Sequence, residues 1–277
     1  MIAPSSNRID PSPAMVLSNE PFFLRGDRRD RVVLCLHGLG GGPYEMQPIA
    51  QDLFEQGWDV QAIAYPDHDR PVKWMPASRW EAWYAHAERT YRALVEQYDR
   101  VVLLGFSTGC PLALHLAAQN PSPNLDRLIL LAPFLAIKRQ LGFFEPEWLV
   151  NSLGYLLPAV PRTQLAIRDR PMREAAEAAC YFKSFNLSAV RSALALIDQV
   201  RGELGSITRP TLILQSQGDT VVDPSGAISL YNALGSADKQ LHWLTRSDHI
   251  ITLDVEREAV RDRIHQFLRD LDPPQTP

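Results

Sequence analysis

The sequence of 277 residues lacks the features that mark several large classes of protein. It has no uninterrupted run of 18 apolar residues and no apolar segment at its start, so we expect neither stable membrane insertion nor a signal peptide. It has no basic excess, with a net charge of −4, so nucleic acid is not an expected partner. Its three cysteines are widely spaced and odd in number, which argues against a disulfide framework. We therefore predict a cytoplasmic protein, with its oligomeric state left open.

Apolar runs alternate with amphipathic segments along most of the chain. Six runs are predicted to be strands: Arg31–Leu36, Asp59–Tyr65, Val101–Phe106, Arg127–Leu131, Thr211–Gln215 and Gln240–Leu244. Helices are expected after several of them, at Glu45–Gln56, Arg79–Tyr98, Ser225–Leu234 and Val255–Leu271, and an edge hairpin at Met15–Arg25. This alternation predicts an α/β fold with a mostly parallel central sheet and helices on both of its faces.

The stretch from residue 134 to residue 188 interrupts this rhythm. It has no clear strand, many large apolar residues and several prolines. Because about 50 residues is long for one crossover, we predict an inserted helical cap over the C-terminal edge of the sheet, in preference to ordinary crossover helices. Residues 15–133 and 189–272 then form the core, and the proline-rich residues 1–14 are expected to be a flexible arm.

The pentapeptide Gly105-Phe106-Ser107-Thr108-Gly109 is the most informative motif. It lies between a predicted strand and a predicted helix. A serine flanked by glycines at such a corner is typical of a nucleophile elbow, because the tight turn leaves no room for side chains at the two glycine positions. The corner also places the hydroxyl beside a helix N-terminus, which favours negative charge. Ser107 is therefore the candidate nucleophile.

A serine nucleophile needs a base, and the base needs an acid that orients it. His249 follows the last predicted strand and Asp219 follows the one before it, which gives the order serine, aspartate, histidine. Two other acids are alternatives to Asp219. Asp223 is suited to cap the next helix, and Asp248 is adjacent to the histidine in sequence. We expect Asp219 to be the orienting acid.

Acyl transfer also needs donors for an oxyanion. The N–H of Thr108 is one candidate, and the N–H of Leu39 is the other. Leu39 lies in the glycine-rich loop, His37-Gly38-Leu39-Gly40-Gly41-Gly42, which lacks the spacing of a nucleotide-binding loop. We expect His37 to brace this loop. His68, in Asp67-His68-Asp69, is expected in a solvated loop and not in a metal site.

The chain resembles the α/β-hydrolase family, and within it the bacterial carboxylesterase and monoacylglycerol lipase group with a small helical cap. Three segments carry the likeness: His37–Gly41, Gly105–Gly109 and the run His249-Ile250-Ile251-Thr252-Leu253-Asp254. The resemblance implies the same triad and oxyanion donors and no cofactor. The chain departs from the family pattern at Cys110, where a second small residue is usual, and at Asp67-His68-Asp69, where the family often has Gly-His-Gly.

These features together predict a serine hydrolase that cleaves carboxylic esters, with short- to medium-chain acyl esters or monoacylglycerols as small, lipid-like substrates. The same triad would also serve a thioesterase, a lactonase, a lysophospholipase or an acyltransferase. A ligand-binding scaffold without catalysis is a further alternative, which the intact triad disfavours. A dehalogenase would have aspartate at the elbow in place of Ser107.

Overall fold

The computed structural model describes residues 16–26, 30–136 and 159–269. The expected N-terminal arm and the apolar middle of the expected cap, residues 137–158, lie outside these ranges, as do the last residues of the predicted core. In the part of the chain that is described, no helix is both long enough and apolar enough to cross a membrane.

The central sheet has seven strands in the order β1-β3-β2-β4-β5-β8-β9. The edge strand β1 pairs antiparallel with β3, and the other neighbours in the sheet are parallel. Two further strands, β6 and β7, form a separate antiparallel pair. The strands are β1 (Phe22–Leu24), β2 (Arg31–Leu36), β3 (Asp59–Ala62), β4 (Arg100–Phe106), β5 (Leu125–Leu131), β6 (Ala159–Pro161), β7 (Ser184–Asn186), β8 (Thr211–Ser216) and β9 (Lys239–Leu244).

Seven α-helices lie in the described ranges: α1 (Gln47–Glu55), α2 (Trp80–Gln97), α3 (Gly109–Gln119), α4 (Arg170–Ala179), α5 (Leu187–Arg201), α6 (Ser225–Ala233) and α7 (Arg257–Arg269). They cover both faces of the sheet, and successive residues of the inner strands point to opposite faces. In β2, Val32 and Leu34 pack in the core layer that contains α2, α3 and α5, whereas Val33 and Cys35 pack in the layer that contains α1 and α7. A strand buried on both faces has to be apolar throughout, which is why β2 is one of the clearest strands in the sequence.

The predicted α/β architecture, with a mostly parallel central sheet and helices on both faces, is confirmed, and all six predicted strands are present. Two details differ. The expected edge hairpin is a single strand, because β1 pairs with β3 and the preceding described residues form no strand. The stretch 134–188 was expected to hold no strand, yet β6 and β7 lie in it. Each is only three residues long, which is too short to show an alternating pattern in the sequence.

The C-terminal ends of the parallel strands lie at one edge of the sheet, and this edge positions the candidate site. The glycine-rich loop follows β2, the elbow follows β4, and the loops that carry Asp219 and His249 follow β8 and β9. Four connections that are far apart in sequence therefore meet above the same strand ends.

Candidate active site

The backbone turns sharply between the end of β4 and the start of α3. Ser107 sits in this turn with φ of 52°, a left-handed conformation that is costly for any residue with a side chain. A Cβ atom at Gly105 would lie 2.5 Å from the carbonyl oxygen of Gly109, and a Cβ atom at Gly109 would lie 2.0 Å from the carbonyl oxygen of Leu36. Both glycines are therefore sterically required, and the turn holds the serine hydroxyl at the N-terminus of α3.

Three side chains from separate loops meet at this turn. Nε2 of His249 lies 2.9 Å from Oγ of Ser107, and Nδ1 lies 2.8 Å from Oδ2 of Asp219. An ionised carboxylate can only accept, so Nδ1 carries the hydrogen and donates it to Asp219. The neutral ring then presents the lone pair of Nε2 to the serine hydroxyl. This arrangement can take a proton from Ser107 and so make it a nucleophile.

The carboxylate of Asp219 is itself held by the turn that follows it. Its Oδ1 accepts the N–H groups of Val221 at 2.8 Å and Val222 at 2.9 Å. Its Oδ2 also accepts from Nε2 of Gln215 at 3.1 Å. Because these donors come from the end of β8 and the fixed backbone that follows it, the face that the carboxylate presents to His249 is fixed as well.

The two alternative acids are engaged elsewhere. Oδ1 of Asp223 accepts the N–H of Ser225, the first residue of α6, at 2.9 Å, but the N-cap of this helix is Pro224, so Asp223 lies one residue before the position expected for it. Oδ1 of Asp248 accepts the N–H and the hydroxyl of Thr220 at 2.9 and 2.8 Å. Asp248 therefore joins the loop after β8 to the loop after β9, and Asp219 is the acid that contacts His249.

The glycine-rich loop packs directly against the elbow. A Cβ atom at Gly38 would lie 3.2 Å from Cβ of Ser107. Among the described residues, no acceptor takes the N–H of Leu39 or the N–H of Thr108. Two backbone donors without partners next to a serine hydroxyl can stabilise a negatively charged oxygen as it forms.

The model of the Hydrolase_4 family, described as serine aminopeptidase, S33, matches residues 27–256. The match includes the glycine-rich loop, the elbow and the loops of Asp219 and His249. The chain belongs to this family. The predicted resemblance to the α/β-hydrolases of the carboxylesterase and monoacylglycerol lipase group is also confirmed.

Similarity to individual proteins extends over nearly the whole chain. A carboxylesterase from Bacillus subtilis (strain 168) is 27% identical over 258 residues, which cover 93% of this chain and 99% of that protein. A thermostable monoacylglycerol lipase from Bacillus sp. (strain H-257) is 25% identical over 253 residues, which cover 90% and 93%. A solved structure reported for LipS and LipT, two metagenome-derived lipolytic enzymes, aligns with a TM-score of 0.79 and 25% identity over 92% of this chain and 100% of that chain.

The electrostatics of this α/β-hydrolase suit a histidine base. Burial raises the pKa of Asp219, but the neighbouring His249 and the backbone N–H groups outweigh burial, so the net shift is downward. Burial lowers the pKa of His249, but the charge of Asp219 and the hydrogen bond to it outweigh burial, so the net shift is upward. Asp219 therefore stays ionised, and His249 is a stronger base than a free histidine.

His37 braces the glycine-rich loop, as expected. It is fully buried, its Nδ1 donates to the carbonyl oxygen of Gly38 at 2.8 Å, and its Nε2 accepts the N–H of Tyr65 at 3.3 Å. Burial holds the pKa of His37 well below 6.5, so the ring is neutral and can fill both roles. His37 therefore supports the site without titrating in the neutral range.

His68 was expected in a solvated loop, and this prediction is wrong. The side chain is fully buried among aromatic rings, with Tyr65, Trp83 and Phe182 each edge-on to it. Burial lowers the pKa of His68 to about 4, and its Nε2 accepts the N–H of Gly40 at 3.2 Å. Within the described ranges, no group of three or more histidine, cysteine, aspartate or glutamate side chains could hold a metal ion.

Glu45 is a site residue that the sequence reasoning missed. Its side chain is buried, and Oε2 accepts the N–H of Gly38 at 2.9 Å. Burial raises the pKa of Glu45 to about 7, although the hydrogen bond from Gly38 and the nearby Arg162 act in the opposite direction. A Cβ atom at Gly41 would lie 2.1 Å from Oε1 of Glu45, so the carboxyl group occupies the space that this glycine leaves. The sequence signal that could have identified Glu45 is its position, three residues after the run of glycines that ends at Gly42.

Asp254 was noticed only as the end of a motif, and its role is to shape the loop of His249. Oδ1 of this buried carboxylate accepts the N–H groups of Arg168, Asp169 and Val255 at 2.8 to 2.9 Å, and Oδ2 accepts the N–H of Asp248 at 2.6 Å. The carboxylate thus joins the His249 loop to the segment that precedes α4.

Glu256 holds the other end of the same loop. Its Oε2 accepts the N–H groups of Arg246 and Ser247 at 2.8 Å and the hydroxyl of Ser247 at 2.9 Å. Burial raises the pKa of Glu256, but these hydrogen bonds outweigh burial and lower it overall. The loop that carries the base is therefore fixed by the hydrogen bonds of two acidic side chains, Asp254 and Glu256, and not by regular secondary structure.

Proposed function

We propose that this chain hydrolyses carboxylic esters through an acyl-enzyme on Ser107, with His249 as general base and Asp219 as the acid that orients it. The observation that carries the proposal is the continuous pair of hydrogen bonds from Ser107 to His249 and from His249 to Asp219, at 2.9 and 2.8 Å. The strained turn at Ser107 and the N–H groups of Leu39 and Thr108, which have no acceptor among the described residues, support the same chemistry.

The geometry supports the following order of steps. Nε2 of His249 takes the proton of Ser107 as Oγ attacks the ester carbonyl carbon, and Asp219 stabilises the imidazolium that forms. The carbonyl oxygen becomes an oxyanion and accepts from the N–H groups of Leu39 and Thr108. The imidazolium then gives its proton to the departing alcohol. Water, deprotonated by His249, attacks the acyl-enzyme, and the acid leaves as Ser107 regains its proton.

Similarity to named proteins supports ester substrates. Relatives that align over at least 90% of this chain are a carboxylesterase and a monoacylglycerol lipase, whereas the family description names a peptidase. We propose small, lipid-like esters with short- to medium-chain acyl groups, including monoacylglycerols. We also propose that residues 134–188 act as a cap over the site, and that the protein works in the cytoplasm, where its three buried, unpaired thiols would stay reduced.

The test is a substrate series with a nucleophile control. Purified protein is assayed on p-nitrophenyl esters of increasing chain length, a monoacylglycerol, an acyl-CoA thioester, a lysophospholipid and an aminoacyl p-nitroanilide, alongside Ser107→Ala. We expect the highest kcat/KM on esters and a loss of several powers of ten in the variant. Preference for the thioester, the lysophospholipid or the anilide would reassign the substrate class.

A fluorophosphonate probe separates catalysis from simple binding. We expect the probe to label wild-type protein at Ser107 and to leave Ser107→Ala unlabelled. Folded wild-type protein that neither reacts with the probe nor hydrolyses any member of the series would be a non-catalytic scaffold, contrary to the proposal.

A further inference from the structure

Several backbone polar groups of the glycine-rich loop have partners within the described chain. The carbonyl oxygen of Gly38 accepts the N–H of Gly41 at 3.2 Å, and the N–H of Gly40 donates to His68. Each peptide group is planar, so the direction of its C=O also fixes the direction of the N–H of the next residue. The groups of the loop that bear on the oxyanion hole are the N–H of Leu39 and the carbonyl oxygens of Leu39 and Gly40.

Arg162 supplies donors to both of these carbonyl oxygens. Its Nη1 lies 3.2 Å from the oxygen of Gly40, and its Nη2 lies 3.5 Å from the oxygen of Leu39. The planar guanidinium can hold two acceptors in a fixed relation to each other, which a lysine ammonium does less well. The Gly40–Gly41 peptide plane then fixes the N–H of Gly41, which donates to the carbonyl oxygen of Gly38. The Gly38–Leu39 peptide plane in turn fixes the N–H of Leu39, which has no acceptor among the described residues and can bind an oxyanion.

The antiparallel pair of β6 and β7, whose strands are joined through α4, brings Arg162 to the glycine-rich loop. Arg162 directly follows β6, and its N–H donates to the carbonyl oxygen of Lys183 at 2.9 Å, just before β7. Phe185 on β7 lies under the guanidinium, with Cζ 4.1 Å from the ring centroid. The same ring would lie 3.2 Å from a Cβ atom at Gly40, which has φ of 65°. The β6–β7 pair thus contacts the glycine-rich loop through both the guanidinium of Arg162 and the ring of Phe185.

We propose that Arg162 is a positioning residue for the oxyanion hole. It holds the carbonyl oxygens of Leu39 and Gly40 from the β6–β7 pair, and so keeps the N–H of Leu39 in the direction in which it can bind the oxyanion. This inference rests on the proposed function. It also predicts that the β6–β7 pair contributes to the chemical step, although it lies outside the sheet that carries the triad.

The rival explanation is that Arg162 only packs the β6–β7 pair against the central sheet. Arg162→Met separates the two, because methionine keeps an apolar stem over Phe185 and removes every donor. Arg162→Lys restores a charge and one set of donors. Arg170→Gln is the matched control, since the Arg170 side chain is 79% exposed and its ion-pair partner is Glu174 on the same helix. Each variant is assayed for kcat and KM on p-nitrophenyl butyrate, for the rate of fluorophosphonate labelling, and for Tm.

For Arg162→Met we expect kcat and the labelling rate to fall about 10- to 100-fold, because a misplaced donor loses most of its effect on the transition state. KM should stay within about threefold, because the donor acts on the oxyanion and not on the bound ester. Arg162→Lys should recover part of the loss, and Arg170→Gln should match wild type.

Two results would overturn the proposal: an unchanged kcat in Arg162→Met, whatever its KM, or a fall in activity that only follows a fall in Tm and that lysine does not relieve. Each of these leaves the ester hydrolase proposal standing, provided that wild type is active and Ser107→Ala is not. Inactive wild-type protein would instead remove the function and this inference together.

Discussion

Asp219→Asn should abolish most activity by reversing the hydrogen position on His249. The substitution keeps the size of the side chain but replaces one carboxylate oxygen with an NH₂ group. The site offers two orientations for the new amide. In one, the NH₂ faces the N–H groups of Val221 and Val222, which lie 2.8 and 2.9 Å from the present oxygen. Donors would then oppose donors at two points in a buried turn, so this orientation is disfavoured.

In the other orientation, the amide oxygen keeps both backbone bonds and the NH₂ faces Nδ1 of His249. The introduced amide then donates across the present 2.8 Å distance between Nδ1 and the carboxylate oxygen, so Nδ1 must accept. The hydrogen of the neutral ring moves to Nε2, where the ring can no longer accept the proton of Ser107. Gln215 can adapt, because its buried Oε1 has no partner among the described residues and could accept from the new NH₂. The altered site is therefore stable and wrongly protonated.

The expected loss follows from this argument. Reversing the tautomer removes the base while the oxyanion donors remain, which in serine triads costs about 10⁴-fold in kcat. That loss corresponds to about 5.5 kcal/mol of transition-state stabilisation. The assay is steady-state hydrolysis of p-nitrophenyl butyrate together with the rate of fluorophosphonate labelling. Tm should change little, because the shape and both backbone hydrogen bonds are retained.

Asp223→Asn is the matched control. Its Oδ1 accepts the N–H of Ser225 at the start of α6, and the amide oxygen of asparagine can accept the same bond, so activity should stay within about twofold of wild type. The assignment of Asp219 would be refuted if Asp219→Asn kept more than about a tenth of wild-type activity, or if Asp223→Asn lost as much as Asp219→Asn.

Three further predictions concern pH, sterics and loop anchoring. Activity should be lost as falling pH protonates His249, and because the pKa of His249 is raised, the midpoint of the acid limb of the kcat/KM profile should lie above the ordinary histidine pKa of 6.5. A midpoint at or below 6.5 in a pH series would contradict this. Gly109→Ala should lower Tm by more than about 5 °C, because the new Cβ would lie 2.0 Å from the carbonyl oxygen of Leu36. Gly205→Ala, whose Cβ would have no atom within 4 Å, should change Tm by less than about 2 °C, and equal Tm values for the two variants would show that the elbow can relax. Asp254→Ala leaves four backbone N–H groups without their acceptor and should lower both Tm and kcat by loosening the loop of His249; an unchanged kcat would mean that this loop does not depend on the carboxylate.

The sequence was sufficient to predict those parts of the structure that follow from local pattern and from parallel topology. The run of β2 is apolar at almost every position, so its burial on both faces could be inferred. Ser107, Asp219 and His249 each follow a predicted strand, and parallel strands bring such positions to one edge. Their meeting could therefore be expected without any knowledge of the packing between helices.

The features that could not be predicted depend on contacts between segments far apart in sequence. Arg162 lies 122 positions from Gly40 in the sequence, and it directly follows a strand that is too short to show a periodic pattern. His68 lies between two aspartates, which suggested exposure, but rings from Trp83 and Phe182 enclose it. Local composition carries no information about either contact, because the partners come from other layers of the fold.

Irregular loops carry every reactive group of this site, and buried acceptors give those loops the fixed shape that a strand would otherwise provide. Glu45 binds backbone N–H of the glycine-rich loop, while Asp254 and Glu256 bind backbone N–H on both sides of the base. These anchoring side chains are different residues from the reactive ones. Ser107→Ala removes the hydroxyl and its hydrogen bond to His249 but none of these anchoring bonds. The loss of activity in that variant therefore measures the chemistry and not the folding of the protein.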